Sequence, residues 1–166
     1  MSAVAPSAVR PFAKLPAALV AAALVAAADQ ASKWWILEKV MQPPKVVPVA
    51  PFLDIVLVWN RGITFGLFNA HGAAQPIVFT ALAIVIAAGL LVWLRGVRQG
   101  WIAVAIGGIL GGAVGNVVDR LRLGAVVDFI DVHVAGWHWP AFNVADSAIT
   151  VAVVAVAVDA LFGAKE

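Results

Sequence analysis

Hydrophobic and polar positions segregate on a coarse scale along this chain, and four apolar stretches dominate it. The first begins at Phe12, runs as an Ala/Leu/Val tract to Ala28 and continues as a plausible helix through Asp29, Lys33 and Trp35, an expected span of 12–35. The second (76–94) and third (99–118) hold 19 and 20 consecutive uncharged residues. The fourth (146–162) carries Asp159 as its only charge beyond the first residue. A helix of about 20 apolar residues crosses a hydrocarbon core roughly 30 Å thick. The pattern therefore predicts four transmembrane helices, with long loops at 36–75 and 119–145.

Finer periodicities refine that plan. Val46 to Val58 is rich in β-branched residues, and Trp59-Asn60-Arg61-Gly62 resembles a turn leading into Ile63 to Phe68, since Asn and Gly tolerate positive φ. Gly124 to Val134 alternates as a strand does. The expected fold class is thus an all-α integral membrane protein of four transmembrane helices with a small extracytoplasmic β-sheet platform, forming a single membrane-embedded domain over 1–166. In the third span Gly107, Gly111 and Gly115 recur every four residues, the spacing that lets a neighbouring helix approach closely. Six of the seven tryptophans (Trp34, Trp35, Trp93, Trp101, Trp137, Trp139) lie at span ends or in the second loop, as an interfacial belt requires.

Composition agrees: 63% of residues are hydrophobic and 12% charged, with mean hydropathy +0.99, against about 45–50% and 25% in soluble domains. The absence of cysteine removes disulfides, thiolate metal sites and a Cys nucleophile together. The net charge of +2 includes no basic run suited to nucleic acid. Arg10 and Lys14 before the first tract could be read as the start of a cleavable signal peptide, but the Asp29/Lys33 spacing makes sense only if the helix is retained. Arg10, Lys14, Arg95, Arg98 and Lys165 lie in short segments near span ends, while the other six basic residues are spread over the long loops. That density predicts cytoplasmic N- and C-termini, with nearly every unusual polar group at the outer face.

Those polar groups carry the chemistry. Charges at membrane depth are expensive, about 2.5–3.5 kcal/mol each even on lenient scales. Asp29 and Lys33 share a helix face and can neutralise one another. Asn116 and Arg120 share a face at the end of the third span, with Asp119 beside them; Arg120 complements the helix dipole, whereas a buried Asn needs a partner. Asp128 falls on the strand face of Val126, Ile130, Val132 and Val134, where desolvation would raise its pKa. Asp146 suits the N3 position of a helix capped by Asn143, and on its own needs no further explanation. Together, Asp128 and Asp146 could share one proton and hydrolyse an amide with neither metal nor cofactor; which would start as base is open. Asp131, His133 and His138 could bind a metal but lack a helical HExxH pattern. Ser147 lacks a nucleophile-elbow setting, and no glycine-rich phosphate loop occurs. A proton-coupled transporter would need polar groups through the membrane depth, and a silent scaffold would leave both aspartates as a cap and a turn.

Five segments, in order, resemble the signature blocks of the bacterial lipoprotein signal peptidases (signal peptidase II): Asp29-Gln30-Ala31-Ser32-Lys33, Asn60 to Gly66, Gly115-Asn116-Val117-Val118-Asp119-Arg120, Val127-Asp128-Phe129-Ile130 and Phe142-Asn143-Val144-Ala145-Asp146. The resemblance implies an aspartic endopeptidase of the bacterial inner membrane that cleaves diacylglyceryl-modified prolipoproteins before the lipidated cysteine. It implies Asp128 and Asp146 as the catalytic pair. Asn116, Arg120, Asn143, Asp29, Lys33, Asn60 and Gly62 would support the site or meet substrate. No cofactor and no metal are expected; sensitivity to the cyclic peptide globomycin, contact with membrane lipid and a monomeric state are. Ile63-Thr64 departs from the smaller residues usual in the family and leaves the fine shape of the platform open.

Overall fold

The computed structural model describes residues 12–62 and 74–162. Four helices are long and apolar enough to cross a membrane: α1 (Leu15–Trp35), α2 (Ala74–Leu94), α3 (Gly100–Leu123) and α4 (Val144–Phe162). This is a multi-pass membrane protein. Pro16 suits the first turn of α1, where its missing N–H is no loss. Beyond Trp35 the chain widens into a π-helical turn, Ile36–Val40.

Helix α3 is the hub. In its most apolar stretch 44% is buried inside the protein, against 6–11% in the other three. Its glycines explain this. A Cβ on Gly107 or Gly111 would collide with the carbonyls of Ala18 or Ala22, and one on Gly112 would meet Ala145 and Ile149 of α4. Close backbone approach supplies the van der Waals contact that holds helices together in lipid. Outward side chains such as Leu24, Val85, Val151 and Leu161 stay exposed, as lipid-facing groups should.

At one end of the bundle a four-stranded antiparallel sheet runs β1 (Val47–Ala50), β2 (Leu53–Asn60), β3 (Val126–Val134), β4 (Trp137–His138), in that spatial order. Pairing of β2 with β3 joins the two long loops, with Asp54 opposite Asp131 and Val58 opposite Asp128; a bulge interrupts the register between Ile55 and Val58. Val127 and Phe129 pack with Ile36 and Met41, fastening the sheet to the end of α1.

Several boundaries differ from the sequence expectation, among them the starts of α1 at Leu15 and α2 at Ala74. Helix α3 continues past Val118 to Leu123, ending at Gly124 in the left-handed conformation (φ +73°). Asn116 and Asp119 therefore lie within the helix, and Arg120 falls in its last turn, where it complements the dipole as expected. Helix α4 starts at Val144, before the expected 146. The apolar run Val46 to Val58 is two strands, broken at Pro51-Phe52, and β2 continues through Trp59 and Asn60, where a turn was expected. The expected strand Ile63 to Phe68, and the Ile63-Thr64 departure, lie outside the described residues.

Candidate active site

Helix α4 begins with a reciprocal cap. Asn143 Oδ1 accepts the Asp146 N–H at 2.9 Å, and Asp146 Oδ2 accepts the Asn143 N–H at 3.3 Å. This satisfies two of the donors a helix start leaves open, and it bears out Asn143 as cap and Asp146 as N3. Asn143 does more than cap. Its Nδ2 also donates to Asp128 Oδ1 at 2.7 Å and lies 3.3 Å from the Val127 carbonyl. One fully buried residue thus holds both carboxylates, Asp128 through its side-chain amide and Asp146 through its backbone N–H.

Each carboxylate has a second amide. Asn60, at the end of β2, donates to Asp128 Oδ2 at 2.9 Å, while its own Oδ1 accepts the Gly62 N–H at 3.0 Å. Asn116 donates to Asp146 Oδ1 at 2.8 Å. Gly62 sits at φ +127°, a region a side chain resists, and any Cβ there would press into Phe79 of α2. Asp128 is 1% exposed. Burial pushes its carboxyl up to about 6, and the nearby Asp146 adds to the rise, against the lowering effect of the Asn60 and Asn143 bonds. The expected desolvation is present, and two polar amides hydrogen-bond the buried acid.

Beneath this pair lies a buried ionic layer. Lys33 Nζ is 2.8 Å from Asp29 Oδ2, 2.8 Å from Asp119 Oδ2 and 3.0 Å from Asn116 Oδ1, so all three of its donors are used. Asp29 Oδ1 accepts the Ala145 N–H of α4 at 3.0 Å. Asp119 accepts the Val127 N–H at 3.1 Å, next to Asp128, and Gln30 Nε2 at 2.9 Å. The Asp29–Lys33 pair foreseen from its spacing is therefore one half of a triad, and Asp119 and Gln30 are the members sequence reasoning missed. The signal for Asp119 was its place on the Asn116 face, obscured by ending the helix at Val118. Arg120 donates to the Asn116 carbonyl at 3.3 Å and lies over the Phe79 ring at 5.5 Å.

Other candidates resolve differently. Asp131 pairs with His138 at 2.8 Å and His133 approaches Asp54 at 3.3 Å, so the three form no shared ligand set; among the described residues no group of three or more His, Asp or Glu is placed to hold a metal ion. Ser147 donates to the Asn143 carbonyl at 2.9 Å and serves the helix. A cavity of about 670 Å³ opens above Asp128, between Trp59, Asn60 and Arg61 on one side and His138 and Trp139 on the other. The arrangement offers two acids held by one buried asparagine, the first of them lining a cavity of peptide-scale volume.

Residues 21–162 match the family described as signal peptidase (SPase) II. The chain belongs to the signal peptidase II family. It is accordingly a peptidase, a hydrolase of the membrane. A lipoprotein signal peptidase of Methylorubrum extorquens (strain PA1) is 44% identical over 136 residues, 80% of this chain and 78% of the relative. One of Rhodopseudomonas palustris (strain TIE-1) is 44% identical over 141 residues, 82% of this chain and 86% of the relative. A solved structure titled as a bacterial membrane enzyme superposes with a TM-score of 0.78 at 29% identity, covering 95% of this chain and 99% of that one. The fold is thus shared with that bacterial membrane enzyme.

Proposed function

We propose that this chain removes the signal peptide from diacylglyceryl-modified prolipoproteins, cutting before the lipidated cysteine, with Asp128 and Asp146 as an aspartic dyad. The observation that carries the dyad is Asn143, whose side chain binds Asp128 while its backbone and carbonyl bind Asp146. Neighbouring carboxyls that interact share a proton, and the buried one holds it longer. Asp128 is that member. Asp146 is less buried and lies at the start of α4, where the helix dipole favours an anion. Asp146 takes a proton from water as the oxygen attacks the scissile carbonyl, and Asp128 protonates the carbonyl oxygen. Collapse breaks the C–N bond, Asp146 hands its proton to the leaving amine, and Asp128 recovers its own from the geminal hydroxyl. Asn60, Asn116 and Asn143 hold the two acids in register; Lys33 and Arg120 hold Asn116, Asp29 holds Lys33 and the start of α4, and Gly62 leaves room beside Asn60.

The site lies at the outer face of the inner membrane, with both termini cytoplasmic; the dense Lys14, Arg95 and Arg98 near span ends support this. Acyl chains can then remain in lipid while the scissile bond reaches water. A monomer suffices, since every group named comes from one chain. The test is cleavage of a lipidated prolipoprotein by the purified protein in detergent. Signal-peptide release is expected, blocked by globomycin and unaffected by EDTA; loss to EDTA restored by zinc would replace the dyad with the Asp131, His133 and His138 groups. For orientation, a reporter fused after Arg98 is expected to read cytoplasmic, and an external signal would invert the placement.

A further inference from the structure

We propose that His138 is a substrate-binding residue, its Nε2 accepting a backbone N–H of the polypeptide in the cavity beside Asp128; this rests on the peptidase reading above. His138 ends β4 and lines the same cavity as Asp128. Its Nδ1 lies 2.8 and 3.0 Å from the two oxygens of Asp131. A carboxylate only accepts, so Nδ1 carries a proton, and in the neutral ring Nε2 is then the acceptor. The ring is also stacked on His133, with centroids 4.9 Å apart and planes 26° from parallel. His133 in turn approaches Asp54, which stands opposite Asp131 across the sheet. An acid and a stacked ring thus fix the imidazole, yet its side chain remains 53% exposed. Oriented and open is how a recognition group is built.

The neighbouring groups define what it takes. Trp59, Arg61 and Trp139 have side chains that only donate, and the oxygens of Asp128 already accept from Asn60 and Asn143. A peptide entering this cavity loses water from its N–H groups, and each needs a new acceptor. Among the described residues of that wall, His138 Nε2 is a side-chain acceptor left open toward the peptide.

The test compares His138→Ala, His138→Asn, His138→Gln and wild type in the lipidated-prolipoprotein assay, with melting temperature measured in parallel. An Asn amide replaces Nδ1 and can keep the Asp131 bond; a Gln amide reaches toward the place of Nε2. Ala and Asn are expected to raise KM roughly two- to tenfold, the range for one neutral hydrogen bond, with kcat little changed, and Gln to restore most of the affinity. The proposal is overturned if KM is unchanged throughout, if kcat alone falls, or if Asn is normal while Gln is as poor as Ala, since that places the role in holding the hairpin. Wild-type protein that cleaves nothing removes the peptidase reading itself, whereas normal cleavage with unchanged KM in the variants removes only His138.

Discussion

Asp128→Asn and Asp146→Asn are each expected to abolish cleavage, by a factor of about 10³ or more, while both proteins insert and purify normally. The magnitude follows from the proposed roles: Asn keeps the shape but carries no transferable proton, and general acid–base steps contribute about 10²–10⁴-fold apiece. Initial rates on a lipidated prolipoprotein decide it, and retained activity in either variant sinks the dyad. The pH dependence gives a second handle. Asp128 must be protonated to act as proposed, so kcat/KM is expected to fall as pH rises through the upper apparent pKa of the pair, near the value of about 6 for Asp128. Bound substrate excludes more water and should move the limb for kcat upward. Stability follows the same group. A folded pKa above the ordinary value of 3.8 means a contribution complete below that value and lost as pH rises through about 6. Asp128→Asn lacks that loss, so its melting temperature should gain on wild type between pH 4 and pH 8. A variant that gains relative stability while losing activity separates chemistry from folding.

Lys33→Met is expected to be the most damaging single change to stability outside the site itself. It leaves Asp29 and Asp119, both almost fully buried, without their shared cation. Removing one partner of a buried ion group typically costs about 3–5 kcal/mol. The loss should spread, because Asp29 holds the start of α4 and Asp119 holds the start of β3. Thermal unfolding in detergent measures it, and a melting temperature equal to wild type would show the triad to be dispensable. Adding Asp119→Asn should recover part of the loss by removing one orphaned charge. Additive damage in the double variant would contradict the pairing.

Much of this was legible in the sequence, for reasons that differ by element. The spans are long apolar runs, and lipid leaves a backbone few alternatives to a helix. Asp29 and Lys33 were legible because a fixed spacing on one helix fixes their distance, and Asn143 with Asp146 because a helix cap is local. The end of α3 was not. Asp119, Arg120 and Arg122 make that turn look too polar to continue a span, yet Lys33 and Gln30 from α1, distant in sequence, donate to Asp119 there. The break at Pro51-Phe52 was hidden by equally β-prone residues on either side. Asn60 was a motif residue without a stated partner until the pairing of β2 with β3 set it against Asp128.

The double duty of Asn143 has a consequence for biogenesis. The residue that starts α4 also holds both acids, and the rest of the site comes from α1, α3, β2 and β3. A chain emerging into the bilayer therefore carries two ordinary, separated aspartates until its last helix has docked. On the proposed dyad, proteolytic competence arrives only with the docking of α4.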